Sequence, residues 1–245
     1  VINSSPICDF CHSVVKMILI TFAIMAFPWQ PTAQDYKVFD KLLKTYVDPN
    51  GRVNYKMLTK EKTAINQVLD QLQKINTQKL NEKARLAFYI NLYNLTTLKV
   101  IADNYPIKSI KDIKGGKIWD IGLMVLNGKS YSLNELENQL IRGQYKEPRI
   151  HFLINCGAKS CPPLHTEAFT EKNIDELMDK RTRQFINDAL SNTITPKQIK
   201  ISKIFDWYQT DFGNLVSFIN RYSKTKVLNN AKISFMDYDW DLNKQ

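Results

Sequence analysis

The stretch Asn81 to Pro106, NEKARLAFYINLYNLTTLKVIADNYP, constrains this chain more than any other. Polar residues open it and Pro106 closes it, while Phe88, Leu92 and Leu95 recur at the spacing that puts them on one helical face, with Leu98 beyond. The pattern predicts one long helix whose apolar face other elements must cover. Asn91 and Asn94 interrupt it, and since asparagine is a poor helix former their amides are expected to bond a neighbouring segment or to line a pocket.

The surroundings read as a mixture of helices and short strands. YKVFDKLLKTYV has helical spacing and is closed by DPNGRVNY, where Asn50-Gly51 marks a tight turn; a second helix follows from about Met57 to Ile75. LMVLNGKSYSL holds two short apolar stretches around Asn127-Gly128, the pair suited to a type I′ hairpin. NELENQLIRG reads as a helix that starts after Ser132 and ends at Gly143. EPRIHFLINCG predicts a buried strand with Ile150, Phe152 and Ile154 on one side and Arg149, His151 and Asn155 on the other. An amphipathic helix from about Glu171 to Leu190, a strand at ITPKQIKIS, mostly helical FDWYQTDFGNLVSFINRY and a last strand at KISFMDYDWDLN complete the reading. With no internal repeat and no Pro/Gly/Ser linker, residues 34–245 are expected to form a single mixed α+β domain, helix-rich with a small, mostly antiparallel sheet.

Residues 1–33 read as upstream residues and a signal peptide. MILITFAIMAF, Met17 to Phe27, follows Lys16 and is too short to span a bilayer as a helix, which takes about 20 residues, but suits a signal h-region. Cleavage after Ala33 would start the mature chain near Gln34, although Pro31 is a poor match to the small residue expected there. Export to a periplasmic or extracellular location is expected, with a membrane anchor if the signal is retained and no stable span in the mature form. CDFCH, Cys8 to His12, has the letters of a c-type haem site but precedes this signal, so no haem and no other cofactor is expected.

Thirty-four Lys and Arg against twenty-four Asp and Glu give a net charge of +10, which favours acidic partners. The basic residues are scattered, without runs or interleaved aromatics, which argues against a nucleic-acid face. The expected partner is a small-molecule, peptide or envelope ligand, anionic if Arg149 clamps a carboxylate or phosphate. A structural acid such as Glu137 is the competing partner for that arginine.

The histidines and cysteines of the mature region all fall between His151 and His165. Four readings of this cluster stay open. Cys156 and Cys161 form a disulfide, as an oxidising compartment favours, closing a small loop for about 2 kcal/mol. Cys156 is a nucleophile at the end of a strand, with His151 or His165 as base; strict alternation puts Cys156 opposite His151 and favours His165. The two cysteines and histidines hold a metal, although zinc sites usually show tighter and more separated pairs. Both cysteines are buried small hydrophobes among hydrogen-bonded histidines.

The motifs AFYINLYN, YPIKSIKDI, YSLNELENQLIR, EPRIHFLINCGAKSCPPL, ISKIFDWYQTDFG and YDWDLN together resemble the domain-of-unknown-function 547 family, from about Ala84 to Phe212. The resemblance brings no established reaction, substrate or cofactor. It marks Asn91, Asn94, Glu137, Arg149, His151, Asn155, Cys156, Cys161 and Pro162 as motif positions. Asn138 stands where the family pattern often has a histidine, which puts a shared hydrolase mechanism in doubt. The expected function is a thiol-dependent hydrolase or acyltransferase of the cell envelope, with Cys156 attacking, His151 or His165 moving protons and Arg149, Asn155, Glu137, Asn91 and Asn94 binding. The alternative is a non-catalytic envelope ligand-binding module with a structural Cys156–Cys161 disulfide.

Overall fold

A computed structural model describes residues 36–245; the haem-like pentapeptide and the apolar run Met17 to Phe27 lie outside the described residues. Helix α1 is Lys37–Tyr46, α2 Tyr55–Leu58, α3 Lys62–Gln73 and α4 Glu82–Asn104. The side chain of Asn81 accepts from Ala84 N–H at 2.9 Å and opens α4. Tyr105 turns extended ahead of Pro106 and ends it. The burial of α4 is wider than the single face read from its spacing: Ile90, Asn91, Asn94, Thr96 and Thr97 are buried alongside Phe88, Leu92 and Leu95. Helices α2 and α3 and the segment after Ser132 cover it on several sides, so it is a core helix and not a surface one.

The hairpin forms as its turn dictates. Strands β1 (Met124–Leu126) and β2 (Lys129–Tyr131) pair antiparallel, with Met124 opposite Tyr131. Asn127 and Gly128 both take positive φ, 49° and 81°, as a type I′ turn requires. A capping box between Ser132 and Glu135 then starts α5 (Leu133–Glu135). The chain widens into a π-helical turn, Leu136–Arg142, before the last turn α6, Gly143–Tyr145. A Cβ on Gly143 would lie 2.9 Å from the Asn138 carbonyl oxygen, five residues back, so the absence of a side chain lets the wide turn close.

The segment expected as a buried strand is instead a 3-10 helix, Pro148–Phe152. Pro148 sits in its first turn, and the Glu147 carboxylate accepts from Arg149 N–H at 3.0 Å. The strand alternation is thereby lost, and His151 and Ile154 line the same cavity instead of opposite faces. Helix α7 (Ile174–Ile186) follows, then β3 (Thr193–Ile194), β4 (Gln198–Ile201), α8 (Ile204–Trp207), α9 (Gln209–Phe212), α10 (Leu215–Tyr222) and β5 (Lys232–Phe235). β4 pairs antiparallel with β3 and parallel with β5, burying Ile199 and Ile201 on one face. The fold is α+β, helix-rich with small sheets. One apolar cluster runs through it, from Tyr36 to Leu242.

The last residues are fastened to the loop after Asn155. Asn243 N–H donates to Gly157 O at 3.0 Å, Lys159 N–H to Asp241 O at 2.8 Å, and Val53 N–H to Asn243 O at 2.8 Å, with Leu242 fully buried between them. Among the described residues, no helix is long and apolar enough to cross a membrane.

Candidate functional site

A cavity of about 250 Å³ opens where the π-helical turn, the 3-10 helix, α8 and the C-terminal tail converge. The π turn contributes Glu137, the 3-10 helix His151, the loop after it Cys156 and Cys161, α8 Trp207, and the tail Tyr238 and Trp240. Tyr93 of α4, Trp119 and Tyr208 complete its ring-lined walls.

Glu137 is only 5% exposed. The Tyr208 hydroxyl donates to its Oε1 at 2.7 Å. Arg142, one π turn away on the same segment, grips Asp211 through Nε and Nη2 at 2.6 and 2.9 Å and forms no ion pair with Glu137. The charge of Glu137 is felt across the cavity: burial raises the phenols of Tyr93, Tyr208 and Tyr238 well above their ordinary value, and the carboxylate adds to the rise in each.

His151 is 2% exposed and its Nε2 lies 2.8 Å from Asp211 Oδ2. An ionised carboxylate only accepts, so that nitrogen carries the proton. The hydrogen bond from His151, with that from Arg142, holds the Asp211 carboxyl far below the usual carboxylate range. The imidazole stacks on Tyr208 at 4.0 Å between ring centroids, and Arg142 lies over the same phenol ring at 4.6 Å. Asp211, His151, Tyr208, Glu137 and Arg142 thus form one connected polar group under the cavity.

Cys156 and Cys161 are joined as a disulfide with their Cα atoms 6.3 Å apart, inside the span such bridges need. The Tyr238 hydroxyl lies 3.3 Å from Cys156 Sγ and 3.1 Å from Cys161 Sγ, capping the bridge from the tail. Gly157 turns the chain immediately after Cys156 at φ 85°, a conformation that L side chains rarely adopt. Paired sulfurs are not metal ligands, and among the described residues no three His, Cys, Asp or Glu are gathered to hold a metal ion.

Other candidates lie elsewhere. Arg149 does not line this cavity: its Nε and Nη2 bond Glu147 at 2.9 and 2.7 Å, and Asp179 lies 3.8 Å from Nη1. The acid expected to compete for it is therefore Glu147, not Glu137. His165 stacks on Phe169 at 5.6 Å, away from the cavity. Asn91 clamps the backbone of Phe169 at both its N–H and its carbonyl, and Asn94 takes the N–H of Asn155 and donates to Leu153 O. Asn155 donates to Pro162 O and accepts from Gly157 N–H, which fixes the disulfide loop from inside. These three amides are framework for the loop that carries the cysteines. Because a 3-10 helix replaces the strand, Cys156 and His151 line one cavity and not opposite faces.

Asp211, Tyr208, Trp207, Tyr238 and Trp240 carry much of the site without having been singled out by residue type. Their signal was the motifs FDWYQTDFG and YDWDLN, which hold all five. No curated protein and no solved structure matches the chain. Residues 77–186 match the model of the family described as Protein of unknown function, DUF547, a span that takes in Glu137, His151 and both bridged cysteines: the chain carries a domain of that family.

Proposed function

We propose that the protein is an exported ligand-binding module of the cell envelope, which holds a small molecule in the cavity under the Cys156–Cys161 bridge. The observation that carries this reading is the bridge itself: both sulfurs are bonded to each other on the cavity wall and capped by Tyr238, so the wall presents no thiolate. What the cavity presents instead is ring faces and one carboxylate, a lining suited to recognition. Export is supported by the apolar run after Lys16 and by a disulfide, which persists in oxidising compartments.

The thiol-dependent hydrolase is the second reading, favoured by one observation. Cys156 shares its cavity with His151, which Asp211 orients, so reduction of the bridge would release a thiol beside a carboxylate-held imidazole. Alkylation of the purified protein with and without prior reduction, followed by mass measurement, separates the two. The binding module is expected to take up label only after reduction, and small-fragment binding followed by tryptophan fluorescence should be the same before and after labelling conditions without reductant. A Cys156 that alkylates rapidly without reductant overturns the binding reading.

A further inference from the structure

We infer that the ligand of this cavity is an organic cation, a primary or quaternary ammonium group, with Glu137 as its counter-charge and the Trp and Tyr rings as its cage. The inference rests on the binding reading above and names the chemical class that the cavity takes.

Three observations converge on it. The first is the state of Glu137. A carboxylate 5% exposed and lining a cavity normally has a cationic partner, because an unpaired buried charge is costly. Glu137 is met by two phenols, the Tyr208 hydroxyl at 2.7 Å and that of Tyr93, while Arg142 and His151 both bond Asp211. Arg142 feels the charge of Glu137 but hydrogen-bonds Asp211 and stands outside the cavity, so the carboxylate on the cavity wall has no cation bonded to it.

The second is the set of rings. Trp207, Tyr238 and Trp240 pack against one another with centroids 4.7 to 5.9 Å apart and mutual tilts of 32° to 53°. Trp119 meets Trp240 edge-on at 5.8 Å. All four rings line the cavity, and aromatic faces attract ammonium groups. Trp207 is 46% exposed, so part of this wall is open to solvent and to an arriving ligand.

The third is that the same rings already hold cations on other sides. Lys111 Nζ lies 4.4 Å from the Trp240 centroid and Arg142 lies over Tyr208, yet neither residue lines the cavity. These two charges also set a limit: a ligand cation must keep off the face of Trp240 that Lys111 covers and the face of Tyr208 that Arg142 covers. Arg149, the residue expected to bring an anion, is taken up by Glu147 and Asp179 outside the cavity. An anionic ligand would instead meet Glu137 with a like charge.

The test uses three probes of one shape, tert-butylammonium, tert-butanol and pivalate, titrated into the oxidised protein by calorimetry with tryptophan fluorescence alongside. The cation is expected to bind about tenfold more tightly than the alcohol, with pivalate weakest. Glu137→Gln, which keeps the shape and an acceptor for Tyr208, should remove the preference for the cation. Trp207→Ala, at a half-exposed position, should weaken the cation in a variant shown to be folded by thermal denaturation. The inference is overturned if tert-butanol or pivalate binds as tightly as tert-butylammonium, or if the preference survives in folded Glu137→Gln. It is overturned likewise if tert-butylammonium fails to bind while neutral fragments do, a result that leaves the binding reading standing. No binding by any probe or fragment overturns both.

Discussion

His165 is half-buried against Phe169, with its Nε2 atom shielded from solvent and lacking a hydrogen-bond partner. Burial, reinforced by the positive charge of Arg181, lowers its pKa from 6.5 to about 4. Between about pH 6.5 and about pH 4 the unfolded chain binds a proton that the folded chain does not, so stability is fully present above that window and declines as pH falls through it. Because the ring is part-exposed, solvent screening holds the decline below the ~1.4 kcal/mol per pH unit of one fully released proton. His165→Leu should remove that contribution to the slope, read as urea-denaturation stability against pH; an unchanged slope would disprove the assignment. A base for a thiol needs to accept a proton near neutrality, and this ring resists one. Asn91 and Asn94 were legible as misfits in an apolar helix, and the reason is now visible in what each clamps. Their partners, Phe169 and the pair Leu153 and Asn155, lie far along the chain, beyond any local pattern.

Among the elements, the π-helical turn places Glu137 and Arg142 so that one serves the cavity and the other Asp211. Gly143→Ala would drive a methyl group into the Asn138 carbonyl, forcing the turn to shift. The expected loss is about 1–3 kcal/mol of stability by thermal denaturation, and ligand binding should weaken along with it. An alanine variant as stable as the parent would show that the turn relaxes at no cost. What was legible at this scale followed from local rules: polar residues at the start and a Pro stop for α4, an Asn-Gly pair for the β hairpin, and a helix start after Ser132 for α5. What was not legible broke the periods on which such reading depends. Ile150, Phe152 and Ile154 alternate as a strand would, but a short apolar run does not distinguish period two from a proline-started turn of period three. The extra residue of the π turn leaves no mark in LENQLIR other than the glycine that follows it.

At the scale of the whole molecule, the C-terminal tail closes the site. Leu242 is fully buried and bridged to Ala158, two residues beyond Cys156, while Tyr238 and Trp240 form the wall that precedes it. Leu242→Ala should cost about 3 kcal/mol and loosen that wall, lowering the melting temperature and weakening ligand binding together. Loss of stability with binding intact in the folded fraction would separate the tail from the cavity. The α+β class could be read early because each element reports itself, whereas the cavity joins Tyr93 to Trp240 and is a property of the finished fold.

That dependence on distant residues also orders events in time. Glu137, His151 and both cysteines are made well before Tyr238 and Trp240, so a growing chain holds the acid and the thiols before it holds the rings that enclose them. Closing so long a span is among the slower steps of folding. The bridge can therefore form ahead of its tyrosine cap, and an occupied cavity requires a chain that has been made and folded as far as Trp240.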